Sequence, residues 1–121
     1  FMPDASYWHY QLLPLGRHIR ITPDTKVIVG RREGENQVLE KLARFRKGTD
    51  SAFLYPENFN GPAVVWIGPV DDHAIETAAS LLLRFSKRYD PDNAQVQVTV
   101  DGESRLIQAR VNEALNELAM L

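Results

Sequence analysis

The feature that most constrains this chain is a strict alternation near its C-terminal end. Ala94, Val96, Val98 and Val100 are separated by Gln95, Gln97 and Thr99, and Asp101-Gly102 follows at once. A two-residue period puts every second side chain on the same face, so this segment is a strand with one buried face. Asp-Gly tolerates the positive φ angles of a tight two-residue turn, so the chain should double back as a hairpin. The spacing predicts a return strand over about Arg105 to Val111 and a short amphipathic helix at the end of the chain.

The same reading extends upstream. Ile19 and Ile21 alternate with His18 and Arg20, and KVIVG follows the turn residues Pro23-Asp24. A three-residue connection, Pro23 to Thr25, would set Ile19 opposite Val29 and Ile21 opposite Val27, whereas a two-residue loop would set Ile21 opposite Lys26. Keeping the apolar residues on one face favours the longer connection. GRREGE (30–35) reads as a turn into a helix in which Val38, Leu39, Leu42, Ala43 and Phe45 recur at helical spacing, with Gln37, Lys41, Arg44 and Lys47 outward and Gly48 as the stop. SAFLY and AVVWIG are two further strands joined by PENFNGP. Asp71 has N-cap chemistry, and Val70 and Ile75 have the spacing of a hydrophobic staple. The apolar helix that follows is expected to run to about Lys87. The predicted order is ββ-α-ββ-α-ββ, an α+β fold with two main helices on a largely antiparallel sheet.

In 121 residues there is no cysteine, which removes disulfides, thiolate metal sites and cysteine nucleophiles together. No apolar run approaches the ~20 residues of a membrane span. An intracellular, cytoplasmic setting is expected. The chain starts at Phe1, so it is expected to be a piece of a longer one. Residues 1–15 read as a linker or the tail of a preceding domain, and 16–121 as one α+β domain. Net charge is −2, unevenly spread: residues 1–47 carry nine bases and five acids, the remainder five bases and eleven acids. Such a split can place one basic face on an acidic body. His9, His18 and His73 lack metal-ligand spacing, and the sequence holds no Walker A pattern and no G-x-S-x-G elbow. The chain is therefore not expected to be an enzyme in its own right.

Two segments, VIVGRREGENQVLEKLA (27–43) and DSAFLYPENFNGPAVVWI (50–67) with the Ala-rich helix after it, resemble the NFACT RNA-binding domain family. The version most similar is the one at the C-terminus of tRNA thiouridylase-like, PP-loop ATP pyrophosphatase proteins. The shared features are Val29-Gly30-Arg31, Asn36 and Gly61-Pro62, together with the opening strand GRHIRI. Phe53 and Tyr55 stand where better-known members have Trp and His, and Asn60 where they have Pro. The resemblance implies contact with RNA, tRNA in particular, beside a separate catalytic domain of the same longer chain that uses ATP and inserts sulfur. The Ser-Gly-Gly-x-Asp-Ser loop of that catalytic domain is absent here, so no cofactor is expected in this chain.

On this reading Arg17, Arg20, Arg31, Arg32, Lys41 and Arg44 would grip phosphates, and the loop Asn58-Phe59-Asn60-Gly61-Pro62, with Tyr55 and Phe59 as its aromatics, would offer a stacking platform. Gly30 either sets a tight turn or lets backbone approach a phosphate, and Asn36 either caps the helix or reads a base. The alternative function is a docking or homodimerisation module that uses an exposed sheet edge.

Overall fold

In the computed structural model, residues 16–30, 33–44 and 50–112 are described. Six strands form one sheet: β1 (Arg17–Thr22), β2 (Thr25–Val29), β3 (Ser51–Pro56), β4 (Val64–Ile67), β5 (Gln95–Val100) and β6 (Glu103–Gln108). Two helices, α1 (Glu33–Arg44) and α2 (Asp72–Arg84), join β2 to β3 and β4 to β5. The spatial order is β1-β2-β4-β3-β5-β6, and every neighbouring pair is antiparallel. This is the α+β arrangement that the periodicities predict.

The helices cover opposite faces, as the alternation of the strands requires. Val27, Val29, Ala52, Leu54, Val64, Trp66, Val96 and Val98 share a core with Ala74, Ala78, Leu81 and Leu82 of α2. The residues between them, Ile28, Phe53, Val65 and Ile67, share a second core with Leu39 of α1. A central strand flanked by both helices is buried on both faces, which is why β4 is apolar at every position.

Local chemistry fixes the ends of several elements. Asp71 Oδ1 accepts the Ala74 N–H at 2.7 Å, capping α2, and Val70 packs on the same core as Ile75. Asp101 (φ 51°) and Gly102 (φ 82°) both occupy the left-handed region, as an Asp-Gly hairpin turn demands.

Four sequence expectations are corrected. Ile19 faces Val27, not Val29, because a β-bulge between Arg20 and Thr22 takes up Ile21 as the extra residue. Pro23-Asp24 then suffices as a two-residue turn, while Ile21 still packs on the α2-side core. The helix of 72–84 stops before Lys87, with Phe85 as its C-cap. The return strand spans Glu103–Gln108 and starts directly after the turn. Val38 is 41% exposed and belongs to the outer side of α1. The expected tail helix, Phe45, Lys47 and Gly48, and the side chains of Leu42 and Ala43, lie outside the described residues.

Candidate nucleic-acid interface

Antiparallel pairing sends the ends of the elements to two ends of the sheet. The starts of β1, β4 and β5, the ends of β2, β3 and β6, and the C-terminus of α2 gather at one end. A cleft of about 410 Å³ opens there, lined by Gly30, Asn36, Asn60, Gly61, Pro62, Phe85, Lys87 and Arg88.

Close contacts build its walls. Gly30 N–H donates to the Ala63 carbonyl at 2.9 Å, continuing the β2–β4 ladder by one step. The Ala63 N–H donates to Asn36 Oδ1 at 3.0 Å. That side chain lies so close over Gly30 that a Cβ there would come 1.9 Å from Oδ1. Gly30 is therefore required by the approach of a side chain, in an ordinary backbone conformation. Asn36 does not cap α1, which begins three residues earlier at Glu33. It pins α1 to β4 instead. On the opposite wall a Cβ at Gly61 would fall 2.3 Å from Ser86 Oγ, and Ser86 in turn donates to the Leu82 carbonyl at 2.7 Å. Asn60 forms an isolated β-bridge with Arg88, which ties the β3–β4 connection to the segment after α2.

Cations collect around this cleft. Lys87 and Arg88 line it and are exposed. The Arg17 and Arg84 guanidinium carbons lie 5.3 and 5.5 Å from the centroid of the Phe85 ring. Each such contact contributes ~0.5–1 kcal/mol at an exposed site and holds the guanidinium in place. The negative end of the α2 dipole also favours positive charge here. Among the described residues no acid lines this cleft. A second cleft of about 410 Å³, at the other end of the sheet, is lined among the described residues by Asp71, Asp72, Asp101 and Glu103 against one cation, Arg105. A third of the same size has Glu76 against Arg110. Size does not separate the three; charge does.

The residues expected at a phosphate grip are thus divided. Arg17, Asn36, Asn60 and Gly61 come together at the basic cleft. Arg20 does not, since it lies on the α1 face and donates to the Pro23 carbonyl at 3.1 Å, beside the turn at the opposite end. It faces Lys26, whose pKa is lowered from the usual 10.5 by burial first and by the charge of Arg20 second. Lys41 is exposed on α1 and does not line the cleft. Tyr55 is half-buried on the α1 face, 5.9 Å from Phe53 between ring centroids, and its hydroxyl donates to Gln97 Oε1 at 2.7 Å. Phe59 packs against Tyr89 and the α2-side core. Arg31, Arg32 and the Arg44 side chain lie outside the described residues.

Sequence reasoning missed Arg84, Phe85, Lys87 and Arg88. Their signal was the run Arg84-Phe85-Ser86-Lys87-Arg88, three cations in five residues, concealed by the net negative charge of the C-terminal portion.

A family model described as the NFACT protein RNA-binding domain matches residues 16–118. The chain belongs to the NFACT RNA-binding domain family. That membership associates the domain with RNA, and the basic cleft lies within the matched region. No curated protein matches the chain. Among solved structures, the NFACT domain is similar to the C-terminal part of the fibronectin/fibrinogen-binding protein from Streptococcus suis. The TM-score is 0.58 at 19% identity, with 83% of this chain and 47% of that one covered. The chain spans about half the length of that structure, and the likeness is one of fold. No helix among the described residues is long and apolar enough to cross a membrane.

Proposed function

We propose that this domain binds RNA at the basic cleft, as a non-catalytic accessory unit. The observation that carries the reading is the convergence of Lys87, Arg88 and the Phe85-bound pair Arg17 and Arg84 on a cleft that no acid lines among the described residues, in a chain of an RNA-binding family. Phosphate oxygens would meet Lys87, Arg88 and Arg17. Arg31 and Arg32, next to Gly30 in sequence, are included as further phosphate contacts. Net charge of −2 keeps the expected affinity of the isolated domain modest. The finer assignment is tRNA as the RNA and a thiouridylase-like, ATP-using catalytic domain as the partner. It is supported by the resemblance at Val29-Gly30-Arg31, Asn36 and Gly61-Pro62.

Fluorescence anisotropy with labelled tRNA at several salt concentrations tests this. Binding should weaken with salt, and Lys87→Ala, Arg88→Ala and the Arg31/Arg32 double alanine variant should each lower the salt slope, by about one unit per lost phosphate contact. Absence of binding at low salt, or slopes unchanged in all three variants, would sink the proposal.

A second reading, docking or homodimerisation, draws support from β6. Among the described residues it pairs only with β5, and all of its residues except the half-buried Ile107 are exposed, Leu106 at 53%. A sedimentation mass that stays monomeric, with no binding to a catalytic domain, would remove it.

A further inference from the structure

Asn36 lines the cleft, and the orientation of its amide is fixed by the fold. A backbone N–H can only donate, so the Asn36 amide must present its oxygen to Ala63. That contact, together with the close fit over Gly30, settles the orientation of the amide. The remaining group, the Asn36 Nδ2 with two N–H donors, belongs to a side chain that lines the cleft. Lys87 and Arg88 are also donors without acceptors. Pro62 and Phe85 supply apolar wall between them. A pocket of about 410 Å³ is of the size that encloses one small organic group. It does not follow the length of a duplex.

From this we infer that the cleft takes a single unpaired nucleotide, its base presenting a carbonyl oxygen to Asn36 Nδ2 and its phosphate lying against Lys87 and Arg88. The inference rests on the RNA reading above and narrows it to one form of RNA. Unpaired bases can be splayed out to place an edge in a pocket, whereas an A-form duplex keeps its base edges either in a deep, narrow major groove or on a wide, shallow minor groove, neither of which enters one. Cytosine offers a carbonyl oxygen beside an unprotonated ring nitrogen. Adenine offers no carbonyl oxygen, and its acceptors N1 and N7 each stand singly beside the N6 amino donor, whereas cytosine O2 and N3 are adjacent acceptors. Donors such as Asn36 Nδ2 and Lys87 therefore favour the first over the second, because a donor left unmatched loses its water without replacement.

The test uses the full chain with hexacytidylate, hexaadenylate and a blunt twelve-base-pair RNA duplex as anisotropy probes at fixed salt. Two variants accompany it. Asn36→Asp keeps an oxygen for the Ala63 N–H and removes the donor; Gln37→Glu makes the same charge change at the exposed neighbouring position. Hexacytidylate should bind the unaltered chain more tightly than hexaadenylate or the duplex. Asn36→Asp should weaken hexacytidylate about 5-fold or more and abolish the preference, as loss of one buried hydrogen bond to the ligand implies. Gln37→Glu should change it less than about 2-fold, since an exposed charge is largely screened. Equal binding of the duplex, no preference between the two hexamers, or equal losses in the two variants would overturn the inference while leaving RNA binding intact. Failure of all three probes and of tRNA at low salt would remove the RNA reading and this one with it.

Discussion

Replacing Gly30 with alanine should destabilise the domain, and the effect should change sign when Asn36 is removed first. The Cβ of Gly30→Ala would lie 1.9 Å from Asn36 Oδ1 and 3.0 Å from its Cγ, so Asn36 must move. Moving it breaks the 3.0 Å bond from the Ala63 N–H, on a residue that is 4% exposed. Leaving such a buried donor unsatisfied costs about 1–3 kcal/mol. Against this, alanine in place of glycine stabilises by about 0.4–1 kcal/mol by restricting the unfolded chain, because Gly30 lies outside the left-handed region. The net expectation is a loss of about 1–2 kcal/mol, or roughly 0.5–1 M in the urea midpoint for a domain of this size. In an Asn36→Ala background the bond is already gone and the space over Gly30 is open. The nearest other atom, Leu39 Cδ1, is at an ordinary contact distance of 3.4 Å. There Gly30→Ala should raise the midpoint. The measurement is urea unfolding by circular dichroism of the four proteins of the cycle. An equal loss from Gly30→Ala in both backgrounds would refute the reasoning, since it would mean that the glycine serves backbone geometry and not the Asn36 contact.

Two further outcomes follow from the same structure. Asp71→Ala should cost about 0.5–2 kcal/mol in thermal or urea unfolding, and Asp71→Asn much less, because only the first removes the acceptor of the Ala74 N–H. Lys26 has a folded pKa below 10.5, so between that lowered value and 10.5 the unfolded chain binds more protons than the native one. Stability should therefore rise with pH through that alkaline window, and urea midpoints of Lys26→Met should lose the part of the rise due to this group.

What the sequence made legible was local. Asp101-Gly102, the Asp71 cap, the Val70–Ile75 staple and the apolar periods of α2 each involve residues within a few positions of one another, so their physics is complete in a short window. Three features were not legible because their causes are distant or compensating. The bulge at Ile21 relieves a register conflict that a regular ladder cannot, and it is visible only once Lys26 and Thr25 have been placed opposite β1. Asn36 looks like a cap in sequence, yet its partner is Ala63, 27 residues on. The basic cleft joins Arg17 to a segment 67 or more residues later, across a sheet order in which β4 precedes β3, so counting charge by halves of the chain could not find it.

The antiparallel sheet also decides where this domain can be held. Gly16 lies against the Val29 carbonyl, and Gln108 pairs with Gln95, so the path of the sheet both begins and finishes at the end that carries the basic cleft. The opposite end holds the turns Pro23-Asp24 and Asp101-Gly102 and the connection from Gly68 to Asp71. A fluorophore, tag or surface anchor attached ahead of residue 16 or just after residue 108 starts on the side of the basic cleft and crowds its mouth. The Asp101-Gly102 turn is exposed, with open space around Gly102, and sits at the far pole. An anchor placed there leaves the cleft facing the solution.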